Sequence, residues 1–161
     1  MTEITIVSSD GKNLKAKLEA MKISKPFEVF YTDNKPEVPI PISHPSGALE
    51  KIIAFCEQFM GKPIPKFDKP IHANKLEGVI KDEFVCKLLD IPTDKLFELL
   101  MASDFLVLKE FEDLVACAVA VKLVGKSTDD IRKEFGIVND FTPAEVKSID
   151  EFFAWSQEIW P

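Results

Sequence analysis

Leu96-Phe97-Glu98-Leu99-Leu100-Met101-Ala102-Ser103-Asp104-Phe105-Leu106-Val107-Leu108-Lys109-Glu110-Phe111-Glu112-Asp113-Leu114-Val115-Ala116-Cys117-Ala118-Val119-Ala120-Val121-Lys122-Leu123-Val124 is the stretch on which the fold turns. In helical projection, Leu96, Leu99 and Leu100 fall on one face, and Phe97, Met101 and Phe105 on another. A helix that is apolar all round belongs to a core or to a membrane. A span needs about 20 apolar residues, and the longest unbroken apolar run here, Leu114 to Val121, lies between Asp113 and Lys122. The stretch therefore predicts a helical hairpin at the centre of a soluble core, broken near Leu106–Lys109. Its few polar positions mark where it meets water or a partner.

On the N-terminal side, Glu83–Leu89 predicts a short helix, and Pro92-Thr93-Asp94 leads into the hairpin with Thr93 or Asp94 as cap. On the C-terminal side, Gly125 suits a left-handed helix stop. Ser127 caps a helix with Asp130 at its third position, Ile131 and Phe135 as its stripe and Gly136 as its end. Thr142-Pro143-Ala144-Glu145 is a capping box with proline at the first helical position. Val146, Ile149 and Phe153 form the stripe of that last helix, widened by Phe152 and Trp155.

Further upstream, Ile4 and Ile6 alternate with Thr5, and Leu14, Ala16 and Leu18 alternate with Lys15 and Lys17. Asp10-Gly11 between them predicts a β-hairpin with one buried face. Pro26 breaks the next segment and can start a short helix through Phe27, Val29 and Phe30. Val38-Pro39-Ile40-Pro41-Ile42 reads as an edge strand, because two prolines remove ladder donors. Leu49, Ile52, Ile53, Cys56 and Phe59 set a helix over Ser46–Met60, capped by Ser46 and ended by Gly61 and Pro63. Residues 62–81, with three prolines, read as a surface linker. The expected class is α/β (α+β): a small N-terminal sheet, a helical core and a helical C-terminal extension.

Composition narrows the function. A net charge of −7 without a basic cluster argues against nucleic acid and anionic membrane as partners. Cys56, Cys86 and Cys117 are scattered in apolar settings, and the N-terminus has no signal-peptide pattern, so a cytoplasmic and nuclear location is expected. Gly125-Lys126-Ser127 imitates the end of a phosphate loop, but Ala120 stands where the loop needs glycine and a helix leads in where it needs a strand. His44 and His72 read as solvated loop residues without a metal partner at the right spacing. The carboxylates of Asp129, Asp130, Asp150 and Glu151 read as helix-terminal and surface charges. No catalytic, metal-binding or cofactor-binding residue and no small-molecule substrate is therefore expected. The region after residue 125 carries twelve large apolar side chains on two short helices and a tail: Ile131, Phe135, Ile137, Val138, Phe141, Val146, Ile149, Phe152, Phe153, Trp155, Ile159 and Trp160. Such a load either folds back over the hairpin or forms a platform for another protein.

These residues resemble a known family. Leu96–Leu106 is similar to the "LFELILAANYL" helix of the S-phase kinase-associated protein one family, adaptors of SCF ubiquitin ligases. Gly125–Thr142 is similar to its "GKTPEEIRKTFNIKNDFT", Ser8-Ser9-Asp10-Gly11 to its "SSDG", and Val38–Ile42 to its "VPLP" strand. The resemblance implies a BTB/POZ-type fold over residues 1–125 and an F-box-binding helical extension over 126–161. It implies a non-enzymatic adaptor that bridges F-box substrate receptors to a cullin for ubiquitin-dependent degradation. It places cullin binding at Asp104 and Phe105. It places F-box binding at Leu114, Ala118, Ile131, Phe135, Ile137, Phe141, Val146, Ile149, Phe153 and Trp155.

The sequence also departs from the family. Asp104 and Phe105 replace Asn and Tyr, Lys109-Glu110-Phe111 replaces "KGL", and Phe152-Phe153 replaces a polar pair. About four residues are inserted around Lys87–Asp90. An F-box-binding or self-associating BTB scaffold that has lost cullin binding, with a homodimer as the free form, therefore stands as the alternative. A small hydrolase or nucleotide-binding enzyme is the competing class.

Overall fold

Alternating side chains at the N-terminus build a hairpin whose inner face starts the core. The computed structural model describes residues 3–33 and 39–159, without the side chains of 30–38 and 156–159. Strand β1 (Glu3–Val7) pairs antiparallel with β2 (Asn13–Lys17), with Ile4 opposite Ala16 and Ile6 opposite Leu14. Ile4, Ile6 and Ala16 are buried, while Lys15 and Lys17 point to water. Strand β3 (Ile40–Pro41) pairs parallel with β1, giving the order β2-β1-β3. The proline-containing strand thus lies at the edge, where a missing donor is tolerated; Val38 lies outside the described residues. Leu18, read as a strand residue, begins helix α1 (Leu18–Met21) instead.

Helix α2 spans Lys25–Asp33, and α3 spans Ser46–Gln58. Ser46 is not the cap of α3. It is the first helical residue, and Asp10 from the hairpin turn does the capping. The Ser46 backbone N–H donates to Asp10 Oδ1 at 3.0 Å, and Ser46 Oγ donates to Oδ2 at 2.6 Å. These bonds, Ser46 Oγ foremost and then Ser8, hold the Asp10 carboxyl well below its ordinary range. The anion sits at a helix N-terminus, where orphan N–H groups and the dipole favour it.

Residues 62–81 are more than a linker. Ile64, Phe67, Ile71, Leu76 and Val79 pack against the core, Ile80 is fully buried, and Leu76–Gly78 makes one 3-10 turn. Prolines hide periodicity, so packing here left no repeat to read. Helix α4 (Glu83–Leu89) is capped by Asp82, which accepts from the Val85 N–H. Lys51 Nζ donates to the Leu88 carbonyl at 2.9 Å and Lys122 Nζ to the Ile91 carbonyl at 3.0 Å. Two lysines distant in sequence thus hold the end of α4 and the segment that follows it.

The hairpin of α5 (Thr93–Phe105) and α6 (Lys109–Leu123) is the centre of the first unit, with α5 packed on both α6 and α3. Pro92 is the N-cap of α5, and Thr93 is the buried first helical residue, so neither Thr93 nor Asp94 caps it. Phe55 stacks against Phe111 at 4.1 Å and against Phe59 at 4.8 Å, forming an aromatic centre between α3 and α6. The break falls at Leu106–Leu108. Val107 N–H donates to Asp104 O and Leu108 N–H to Ser103 O, which is the double-bonded Schellman stop. The left-handed position of that stop, normally glycine, is Val107 at φ 52°. Ser24 Oγ, fully buried, donates to the Leu106 carbonyl at 2.7 Å and satisfies another orphan of the helix end.

The chain forms two compact units, Met1–Lys126 and Ser127–Pro161. In the second, Ser127 Oγ accepts from the Asp130 N–H and caps α7 (Thr128–Phe135), which ends at left-handed Gly136. Helix α8 (Pro143–Ile159) opens with the capping box: Thr142 N–H donates to Glu145 Oε2 at 2.8 Å, and Glu145 N–H to Thr142 Oγ1 at 3.4 Å. The Thr142 backbone N–H first, and then its hydroxyl, which also donates to Oε2, lower the Glu145 carboxyl below its ordinary range. Trp160 and Pro161 lie outside the described residues.

Candidate protein-interaction surfaces

Helix α5 has two apolar faces, and only one is core. Leu96, Leu99 and Ala102 are fully buried against α3 and α6. Phe97, Met101 and Phe105 recur every four residues on the opposite side and are 40%, 66% and 56% exposed. The expectation that the helix is buried all round fails here, because its neighbours cover only the Leu96–Leu99 side. The polar pair Ser103-Asp104 is divided as well. Ser103 is buried and donates to the Leu99 carbonyl at 2.6 Å, whereas Asp104 stands in water beside the exposed stripe.

Phe105 borders a shallow apolar groove of about 160 Å³ lined by Pro26, Phe27, Ile40, Pro41, Ile42 and Leu106. His44, expected as a solvated loop residue, is half-buried and lies against the Phe105 ring at 5.1 Å between centroids. Val107, 47% exposed, continues the surface past the helix end. Phe97, Met101 and Val107 are surface residues that the sequence does not mark as exposed. The four-residue spacing of 97, 101 and 105 was the available signal, but spacing identifies a stripe and not what covers it.

Leu114 and Ala118, assigned to a partner, are 1% and 4% exposed and belong to the core. They share the inner arc of α6 with Phe111, Val115 and Val121, so neither offers free surface. That is a correction to the assigned set.

In Ser127–Pro161 no described residue is buried. Ile131 and Phe135 are half-buried, while Ile137, Val138, Phe141, Val146, Ile149, Phe152, Phe153 and Trp155 are exposed. Phe152 and Phe153 meet edge to face at 5.0 Å. Large exposed apolar patches mark interaction sites.

Chemistry by side chain finds no comparable feature among the described residues. No group of three or more His, Cys, Asp or Glu side chains is placed to hold a metal, and no helix is long and apolar enough to cross a membrane. The three thiols are buried. Burial, with Glu57 nearby, pushes Cys56 up to about 12, and burial pushes Cys117 up to about 11. Burial also raises Cys86, whose Sγ donates to the Ile80 carbonyl. Thiols so protonated are poor nucleophiles.

Comparison with known proteins bears on the whole chain. The profile described as "Skp1 family, dimerisation domain" matches residues 109–156. An S-phase kinase-associated protein 1 homolog of Tetrahymena thermophila is 31% identical over 159 residues, covering 98% of this chain and 95% of its own. The chain belongs to the Skp1 family. Among other family members, the E3 ubiquitin ligase complex SCF subunit sconC of Arthroderma benhamiae is 32% identical over 97% of this chain and 96% of its own. The SCF ubiquitin ligase complex protein SKP1b of Dictyostelium discoideum is 32% identical over 98% of each chain. The small mixed sheet with its helical core agrees with the BTB-type fold expected for a Skp1 chain.

Proposed function

We propose that this chain is a non-catalytic adaptor subunit of an SCF-type E3 ubiquitin ligase, acting in the cytoplasm and nucleus. Ser127–Pro161 holds the F-box of a substrate receptor through Ile131, Phe135, Ile137, Phe141, Val146, Ile149, Phe153 and Trp155. The α5 face holds a cullin through Phe105 and Asp104, joined by Phe97 and Met101. The observation that carries this reading is the exposure of the large apolar residues from Ile137 to Trp155, on α8 and on the segment between it and α7, while both helices have their starts capped from within the same unit. A chain that spends its aromatic residues on an uncovered face is made to be covered by another. A stable interface of this kind buries on the order of 1,600 Å².

The test is binding of a recombinant F-box domain to the full chain, measured by calorimetry. Phe135→Lys is expected to abolish binding while leaving the unfolding of Met1–Lys126 unchanged. Absence of affinity for every F-box domain tried would overturn the reading.

One observation favours a second reading for the α5 face. Asp104 places an exposed carboxylate beside Phe105, where the family pattern has a neutral amide. A scaffold that grips F-box proteins or a second copy of itself without a cullin fits that change. Co-precipitation of a cullin, lost in Phe105→Lys, supports the bridging adaptor. A free chain that sediments as a dimer and captures no cullin supports the scaffold.

A further inference from the structure

We propose that the apolar face of Ser127–Pro161 takes an apolar partner segment rimmed by lysine or arginine, whose cations meet Asp140 and Asp150. The inference rests on the adaptor reading, since it names the chemistry of the segment that this face grips.

The first observation is where the charge lies. Residues 127–161 hold eight carboxylate side chains against three cations, so five of the seven net negative charges fall in the last fifth of the chain. The second is how that charge is used. Arg132 is paired with Asp129 at 3.1 Å and Lys147 with Glu151 at 3.7 Å. Asp130 takes a bond from Ser127 Oγ, and Glu145 is engaged in the capping box. Asp140 and Asp150 have no such duty among the described residues, and both are exposed.

The third observation is their position. Asp150 stands one turn after Val146 and three residues before Phe153, on the margin of the α8 stripe; Asp140 immediately precedes Phe141. On α8, Val146, Phe153, Ile149, Phe152 and Trp155 spread over about half the circumference, wider than the roughly 100° stripe of an ordinary surface helix. Such a face suits a partner that wraps it, and the acidic margin faces the partner's rim. Complementary charge at a rim acts mainly on the rate of encounter and on its salt dependence. A second copy of this chain would set acid against acid and is disfavoured as the occupant.

The experiment follows association of the full chain with a recombinant F-box domain that carries lysine or arginine beside its apolar surface. The association rate is expected to fall about tenfold or more between roughly 50 mM and 500 mM salt, as screening shortens the reach of the charges. The double variant Asp140→Lys/Asp150→Lys is expected to associate as slowly at low salt as the native chain does at high salt, with unchanged helicity. Changing the F-box domain's rim cations to glutamine is expected to flatten the salt dependence in the same way. Tight binding with a salt-independent rate, or a double variant as fast as the native chain, would overturn the proposal and leave the adaptor reading standing. So would a homodimer through this face that tightens with salt. Failure of every arm to bind at any salt would overturn the adaptor reading itself.

Discussion

Phe111 and Phe153 are both phenylalanines on helices, yet one is 1% exposed and the other 49%. Phe111 touches Phe55 in the centre of the first unit, within a cluster that draws on the sheet, α3, α5 and α6. Phe153 lies on a helix started by its own capping box, in a unit with no buried residue among those described. The same side chain thus does two jobs. In Met1–Lys126 it stabilises the fold by leaving water during folding; in Ser127–Pro161 it stays exposed, and under the adaptor reading it is buried only by a partner. Stability and affinity should therefore respond to different mutations.

The largest effect is expected where that division is sharpest. Phe111→Ala should cost about 3–5 kcal/mol of stability in chemical denaturation, through lost burial and a cavity. Leu114→Ala should cost about 2–5 kcal/mol and change F-box affinity no more than its effect on folding explains. If Leu114→Ala instead left stability intact and lost binding, the division drawn at α6 would be wrong. Trp155→Ala should do the reverse, leaving the unfolding of the first unit unchanged and weakening F-box binding at least about tenfold, as expected of an aromatic anchor.

A smaller, pH-dependent effect tests how the first unit is tied together. The Asp10 carboxyl is lowered in the folded state by Ser46 and Ser8. A depressed folded value means that its contribution is complete above the ordinary carboxylate range, near pH 4, and is lost as pH falls through the folded value. Asp10→Asn should therefore lower the melting temperature at neutral pH, with the gap to the native chain closing in acid. A gap that widens on acidification would contradict the capping role. The smallest effect is at the helix stop. Val107→Gly relieves a left-handed valine at φ 52° and should stabilise by about 0.5–1 kcal/mol, because the strain of about 1–2 kcal/mol is partly offset by glycine's greater freedom in the unfolded chain.

Elements whose signals are local were legible in the sequence. Ser127, Gly136, Thr142 and Glu145 act within four residues of what they cap, and the apolar patterns of α3, α5 and α6 placed those helices. Signals that act across the chain were not legible. Asp10 reads as a turn residue and becomes the cap of a helix that begins at Ser46. Ser24 satisfies a carbonyl at Leu106. Residues 62–81 pack on the core with no repeat to show it. The candidate surfaces follow the same rule. The apolar face of α8 was readable because two short helices cannot hide it. The division of α5 into a buried and an exposed stripe, and the burial of Leu114 and Ala118, depend on which neighbours arrive, and no spacing within one helix states that.

The caps of α7 and α8 have a consequence for descent as well as for folding. The start signals of both helices and the stop of α7 lie inside Ser127–Pro161, whereas α3 is held at its first residue by an aspartate from the opening hairpin. After a gene duplication, the tail can exchange its apolar and acidic side chains freely while its punctuation stays in place. The first unit has no such freedom, since a change at Asp10 or Ser24 is felt far along the chain. On the adaptor reading, new receptor preferences should therefore accumulate in the last fifth of such a protein, written as substitutions between unchanged caps.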